Sequence, residues 1–350
     1  MKCTFDCVGI DAIATSLPNH FQSLDESFLG IDADSIAKIL AITGISQVAM
    51  SSEETTASDL CFHAAQCLKD NNPAYLKNID AVLFVSQSRD YLMPSTASIL
   101  QYRLGFSDNC LALDIPSGCS GYIHGLFLSS TLISSGAAQR VLLLCGETNT
   151  KLINPKDKSV SMIFGDAGSA TLISRRVNSH LYFNFKTDGS GYDKIIIPHG
   201  GCRHPVNLGS LESKEFENGN YRRSIDMKMD GMSVFDFAMT AVPRLISDSL
   251  SDCSLSPNDL DLFAAHQANR LIVNQLAKKC GIDAKKSPFL ADKFGNTGPT
   301  SIPLLLSEGF SSSSMCLKKV LMCGFGVGLN WGVCLSDLSS TEIFSPKFYN

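Results

Sequence analysis

Three residues of this chain have the types and settings that thiol-based acyl chemistry requires. Cys119 stands in "DIPSGCSGYIHGLFLSSTLISSG" (114–136), between small-residue turns and at the head of an apolar, helix-like run. A helix N-terminus offers free backbone N–H groups and the positive end of a dipole, so this setting is expected to favour a thiolate. Free cysteine is also a common small core residue, and position alone leaves both readings open. His266 lies in "DLFAAHQANRLIVNQLAKKCG" (261–281), where a strand-like run meets a helical pattern. Open α/β sheets place reactive groups at such carboxyl ends of strands. Asn296 follows in "DKFGNTGPTSIPLLL" (292–306), a glycine-bracketed turn that again precedes an apolar helix. A third glycine turn, "CGFGVGLNWG" (323–332), supplies backbone N–H groups free to approach a substrate. Cysteine, histidine and asparagine at turn-to-helix junctions together suit a covalent thioester mechanism. His20, His63, His124 and His180 occur singly and read as surface or satisfied-core residues.

The elements that must position these groups alternate along the chain. Short apolar runs at 81–85, 141–145, 170–173, 320–323 and 332–335 predict buried strands. Helical patterns fall at 57–68, 95–104, 120–134, 234–250 and 270–280. This alternation predicts an α/β protein with buried parallel or mixed sheets. An internal echo adds to it. "VLLLCGETN" (141–149) and "VLMCGFGVGLNWG" (320–332) each set a strand before a glycine turn. "FGDAGSATLIS" (164–174) and "GFGVGLNWGVCLSD" (324–337) each run from a glycine turn into a closing strand. Two similar halves are expected, 1–176 and 177–350.

Bulk composition narrows the function classes. The chain has 350 residues, 44% hydrophobic and 18% charged, enough to bury a large core. Its formal net charge of -5 gives no basic field for nucleic acid, and no nucleic-acid motif is present. No apolar stretch approaches the roughly 18–20 residues a bilayer span needs. The start, "MKCTFDCVGIDAIATSLP", lacks the apolar core of a signal peptide. Thirteen cysteines without paired short spacings read as reduced thiols, so a cytoplasmic protein is expected. The long polar segment 198–231 reads as a lid-like loop. Its His199, Cys202 and His204 lack a fourth ligand, so no metal is expected.

Five stretches in order make the chain resemble the β-ketoacyl-acyl-carrier-protein synthase III family, initiating condensing enzymes of the thiolase superfamily. They are "SGCSGY" (117–122), "FGDAGSA" (164–170), "HQAN" (266–269), "FGNTGPTSIP" (294–303) and "GFGVGLNWG" (324–332). The resemblance implies two similar α/β halves packed as α-β-α-β-α layers, usually in a homodimer. It implies an acyltransferase in fatty acid or related acyl biosynthesis, with no cofactor. Coenzyme A thioesters and acyl carrier protein are the partners it implies. Cys119, His266 and Asn296 become the catalytic set, and the backbone N–H groups of Cys119 and Val327 the oxyanion hole. Lys158 and Arg270 become contacts for coenzyme A or the carrier. Met93, before the proline of "RDYLMPSTAS" (89–98), becomes a wall of the partner subunit's acyl pocket.

One stretch departs from the family pattern. "AKILAITGISQV" (37–48) has Lys38 and Ile42 ahead of Thr43-Gly44-Ile45 where an aromatic and a basic residue are common. The one tryptophan, Trp331, belongs to the C-terminal glycine motif. A carrier-protein donor, or coenzyme A bound differently, is the expectation. The alternative activity is acyl transfer from Cys119 to an alcohol or amine without decarboxylation.

Overall fold

A computed structural model describes residues 1–25, 33–216, 219–311 and 315–350; of the segment 198–231, residues 217 and 218 lie outside the described residues. Two long strands organise it: β1 (Lys2–Pro18) and, antiparallel to it, the strand Ala167–Thr187. Between them in sequence lie β2 (Ala81–Val85), β3 (Leu111–Ile115) and β4 (Arg140–Glu147), so Ala167–Thr187 is β5. β3, β2 and β4 are parallel neighbours, and β4 pairs antiparallel with residues 167–174 of β5. In the second half, β6 (Leu262–Ala265) is parallel to β7 (Val320–Gly326). β8 (Asn330–Ser336) turns back antiparallel to β7 and pairs with residues 181–187 of β5. The halves therefore repeat one pattern, as the sequence echo predicts.

β1 and β5 serve both halves. Their register slips between Asp6 and Val8, and again between Ile10 and Ala12. Cys7 and Asn178 adopt φ of 59° and 63°, so each strand bends there. β5 runs unbroken across residues 176 and 177, where the sequence places the boundary. Shared strands join the halves; a linker does not.

Helices form the remaining layers. α1 (Ala57–Asn71) and α2 (Thr96–Arg103) cover the outer face of the first sheet, through Leu68, Ala97 and Leu100. α3 (Gly121–Ser134) lies between the sheets and buries Tyr122, Ile123, Leu126 and Ile133 there. Its Tyr122 is fully buried, with the hydroxyl on Thr171 Oγ1 at 3.2 Å. α4 (Gly231–Asp252) and α5 (Arg270–Lys279) cover the outer face of the second sheet. α6 (Ser301–Phe310) joins α3 in the central layer through Ile302, Leu305 and Leu306. The order is α-β-α-β-α. Burying each large side chain of that central layer contributes about 1.5–3 kcal/mol.

The segment 198–231, expected as a lid-like loop, carries short strand pairings, and its Met229 and Gly231 line the cavity over Cys119. Lys214–Phe216 pairs with Asn220–Arg222, and Lys228–Met229 pairs with Ile195–Ile196. Arg222 forms an ion pair with the fully buried Asp157, and Asn220 accepts the Lys158 N–H at 3.0 Å. The segment is a clasp on residues 153–160. The His199 and His204 rings stack at 5.3 Å, and among the described residues no group of three donors could hold a metal. No helix among them is long and apolar enough to cross a membrane.

Candidate active site

Cys119 occupies the turn between β3 and α3 and is 7% exposed. The C-terminal glycine motif presses directly on it. A Cβ on Gly324 would stand 2.9 Å from the Ser120 Cα, and one on Gly326 would stand 2.8 Å from the Cys119 Cβ. Any side chain there would push the nucleophile turn off β7. A cavity of about 210 Å³ opens over the thiol, and Cys119, His266, Asn296, Phe325 and Gly326 all line it.

β6 delivers His266 to this cavity, with the backbone N–H continuing the ladder to the Cys323 carbonyl at 2.7 Å. Its ring stands edge-on to Phe325 at 5.4 Å. Nδ1 lies 2.8 Å from the Ser301 hydroxyl. That oxygen also accepts the Gln267 N–H at 3.4 Å. With the hydroxyl hydrogen on Nδ1, the ring hydrogen sits on Nε2 and His266 is a neutral donor. Burial keeps it neutral, pushing the pKa down to about 3, against a smaller opposing contact from the Gly298 backbone.

Asn296 is held by its backbone at both ends. Its N–H donates to the Ile163 carbonyl at 2.7 Å, and its carbonyl accepts the Gly165 N–H at 3.0 Å. Oδ1 accepts the Gly298 N–H at 3.0 Å, which leaves the Nδ2 hydrogens for the cavity. Gly298 has a φ of 59°, a left-handed turn that favours glycine.

The thiolate expectation for Cys119 is corrected. Burial pushes its thiol up to about 12, and the charge of Glu147 adds to the rise. Backbone N–H groups of Cys119 and Val327 act on the sulfur in the opposite direction but do not outweigh burial. The helix terminus is present, yet the resting group is a thiol.

Glu147, at the end of β4, carries no assignment from the sequence. Burial raises it from 4.5 to about 7, although it accepts the Gln87 and Ser88 N–H groups at 2.8 and 3.0 Å and the Ser88 hydroxyl at 2.6 Å. Between those two values the folded chain keeps a proton that the unfolded chain has released. Glu147 therefore costs stability as pH rises from about 4.5 to about 7. His266 has the opposite sign: its contribution is complete above 6.5 and is lost as pH falls toward about 3. Denaturation of wild type and Glu147→Gln over this range isolates the first effect. The stability of wild type relative to the variant should fall with rising pH and level off above 7; a flat difference contradicts the assignment.

The remaining assigned residues are more dispersed. Lys158 lies on the clasped loop, next to Ser159 in the cavity wall. The Arg270 guanidinium donates to the Gly44 carbonyl at 3.1 Å and lies over the Phe289 ring. It braces the Ile42–Thr43 lip of the cavity. Met93 is 86% exposed and touches neither Cys119 nor its cavity within one chain. Ser301 was not singled out by the sequence, although it stands five residues after Asn296 within a quoted motif.

This chain is similar to known proteins in sequence and fold. A family model described as 3-oxoacyl-[acyl-carrier-protein (ACP)] synthase III matches residues 113–189. Its C-terminal counterpart matches residues 250–338. A beta-ketoacyl-[acyl-carrier-protein] synthase III from Lactococcus lactis is 32% identical over 334 residues, 94% of this chain and 98% of its own. One from Streptococcus sanguinis is 35% identical over 297 residues, 84% of this chain and 88% of its own. The crystal structure of a 3-oxoacyl-(acyl-carrier protein) synthase from Burkholderia xenovorans superposes with a TM-score of 0.92 at 33% identity. It covers 100% of this chain and 99% of that one.

Proposed function

The chain belongs to the 3-oxoacyl-[acyl-carrier-protein] synthase III family, and on that premise we propose how its residues carry out a decarboxylative condensation. Its five layers are the thiolase-type fold of that family. The activity is acyl transfer in fatty acid biosynthesis, joining an acyl thioester to a malonyl thioester of acyl carrier protein. It uses no cofactor, because the acyl group travels on a cysteine.

In the first step the Cys119 sulfur attacks the thioester carbonyl. The new C–S bond forms, the bond to the donor sulfur breaks, and the Cys119 proton leaves with the donor thiol. Backbone N–H groups of Cys119 and Val327, already directed at the sulfur, hold the oxyanion. In the second step the malonyl carboxylate leaves as carbon dioxide and its electron pair forms an enolate. His266 Nε2–H and Asn296 Nδ2–H donate to the enolate oxygen. In the third step the enolate carbon attacks the acyl-Cys119 carbonyl, and the C–Sγ bond breaks. The released sulfur regains a proton, and a 3-oxoacyl product leaves.

One observation carries this reading: a buried thiol shares one cavity with two neutral donors, one bonded to Ser301 and one to Gly298. Neutral donors stabilise an enolate and leave the malonyl carboxylate free to depart. Release of carbon dioxide from a malonyl thioester tests it; an acylated enzyme that leaves malonyl groups intact overturns it.

The active form in this reading is a homodimer. β3 is the outermost strand of its sheet, and Leu111 and Leu113 on it are 48% and 46% exposed. An apolar open edge invites pairing with a second copy. Tyr91, Leu92 and Met93 are also exposed, and Met93 then reaches the partner's acyl pocket. Met93→Phe should shift acylation toward shorter chains and Met93→Ala toward longer ones. Overpacking of a formed pocket costs about 1–3 kcal/mol, enough for a tenfold change in preference. Unchanged chain-length profiles in both variants, or an active monomer, would contradict the shared pocket. The thirteen unpaired cysteines support a cytoplasmic setting.

A further inference from the structure

A second cavity, of about 320 Å³, lies on the other side of the nucleophile turn. Ile195 lines both cavities, and Val327 of the second follows directly on Gly326 of the first. A Cβ on Gly118 would stand 2.6 Å from Gln87 Oε1 and 3.2 Å from the Val327 side chain, so this chamber abuts the residue before Cys119. Much of its wall is aliphatic, from Leu152, Ile195 and Met227. An acyl chain on Cys119 has this space to enter.

The wall is not wholly apolar. Asn149 lines it, is 5% exposed, and its carboxamide has no hydrogen-bond partner among the described residues. Gln87 and Tyr192 line the same chamber from its exposed side. An amide that faces the chamber without a protein partner is met by water or by a polar group that enters. A carboxamide offers a donor and an acceptor together. An alkyl chain matches neither, and a keto oxygen matches the donor alone. A hydroxyl matches both.

We propose that the acyl group taken up by Cys119 bears a hydroxyl, which Asn149 recognises with Gln87 beside it. The substrate class is a hydroxyacyl thioester. This inference rests on the reading that Cys119 is acylated, and its test separates the two. Intact-mass kinetics with wild-type protein would compare hexanoyl coenzyme A with its 3-, 4- and 5-hydroxy counterparts. At least one hydroxyhexanoyl thioester should acylate the protein on the order of tenfold faster than hexanoyl, as one added hydrogen bond allows. Asn149→Leu should abolish that ratio. Gln87→Leu, at the exposed wall, should lower it and serves as the second variant if Asn149→Leu does not fold. Hexanoyl transfer as fast as every hydroxy isomer, or a preference that survives both variants, overturns the inference. No acylation of wild type by any of the four acyl groups, offered both on coenzyme A and on acyl carrier protein, overturns the acyl-cysteine reading itself, and this inference with it.

Discussion

Cys119→Ala should take up no acyl group from any thioester, while folding as the wild type does. The replacement is small at a site that is 7% exposed, and it relieves rather than adds contact with Gly326. Removing the nucleophile of a covalent mechanism costs on the order of 10⁴–10⁶ in rate. The other buried thiols offer no substitute. Burial raises Cys61, Cys145, Cys323 and Cys334 well above the ordinary thiol range, and none of them lines the cavity. Cys202 and Cys316 are exposed, so chemical labelling there is to be distinguished by peptide mapping. Rapid acylation of Cys119→Ala at another cysteine would contradict the assignment.

His266→Ala and Asn296→Ala should separate the two half-reactions. In the proposed mechanism both side chains donate to the enolate, whereas the oxyanion of the first step rests on backbone groups. Each variant should therefore still accept an acyl group yet lose about 10²–10³ in malonyl decarboxylation, the usual cost of one such donor. Ser301→Ala removes the hydroxyl that bonds His266 Nδ1, so its loss should be smaller and of the same kind. It acts as a positioning residue, and a decline in decarboxylation without a matching decline in acylation is the signature. Normal decarboxylation in both donor variants would make simple acyl transfer the better account.

The candidate groups Cys119 and Asn296 were legible because each sits in a short glycine-bracketed turn whose local sequence dictates its shape. Gly298 and Gly326 hold backbone conformations that side chains rarely adopt, and the "NTG" and "GFGVG" patterns announce them. The buried strands and the long helices were legible from unbroken apolar runs. β1 was not. Its positive-φ Cys7 and its slips in register break the alternation that marks a strand. The helix Ala33–Thr43 was missed too. Glu147 and Ser301 act through contacts made only in the fold. Glu147 meets Gln87 and Ser88 across some sixty positions of chain, and Ser301 meets His266 across thirty-five. The thiolate expectation failed for a similar reason, since a local helix terminus cannot report how deeply the fold buries it.

The most direct test of the central claim is the mass of the carrier protein after one reaction. Wild-type enzyme is mixed with an acyl coenzyme A it accepts and with malonyl-acyl carrier protein, and the intact carrier is weighed. Decarboxylative condensation predicts a carrier that has lost carbon dioxide and gained the acyl group, giving the 3-oxoacyl form, with no such product from Cys119→Ala. A carrier that remains malonylated while the acyl group stays on Cys119 would contradict it.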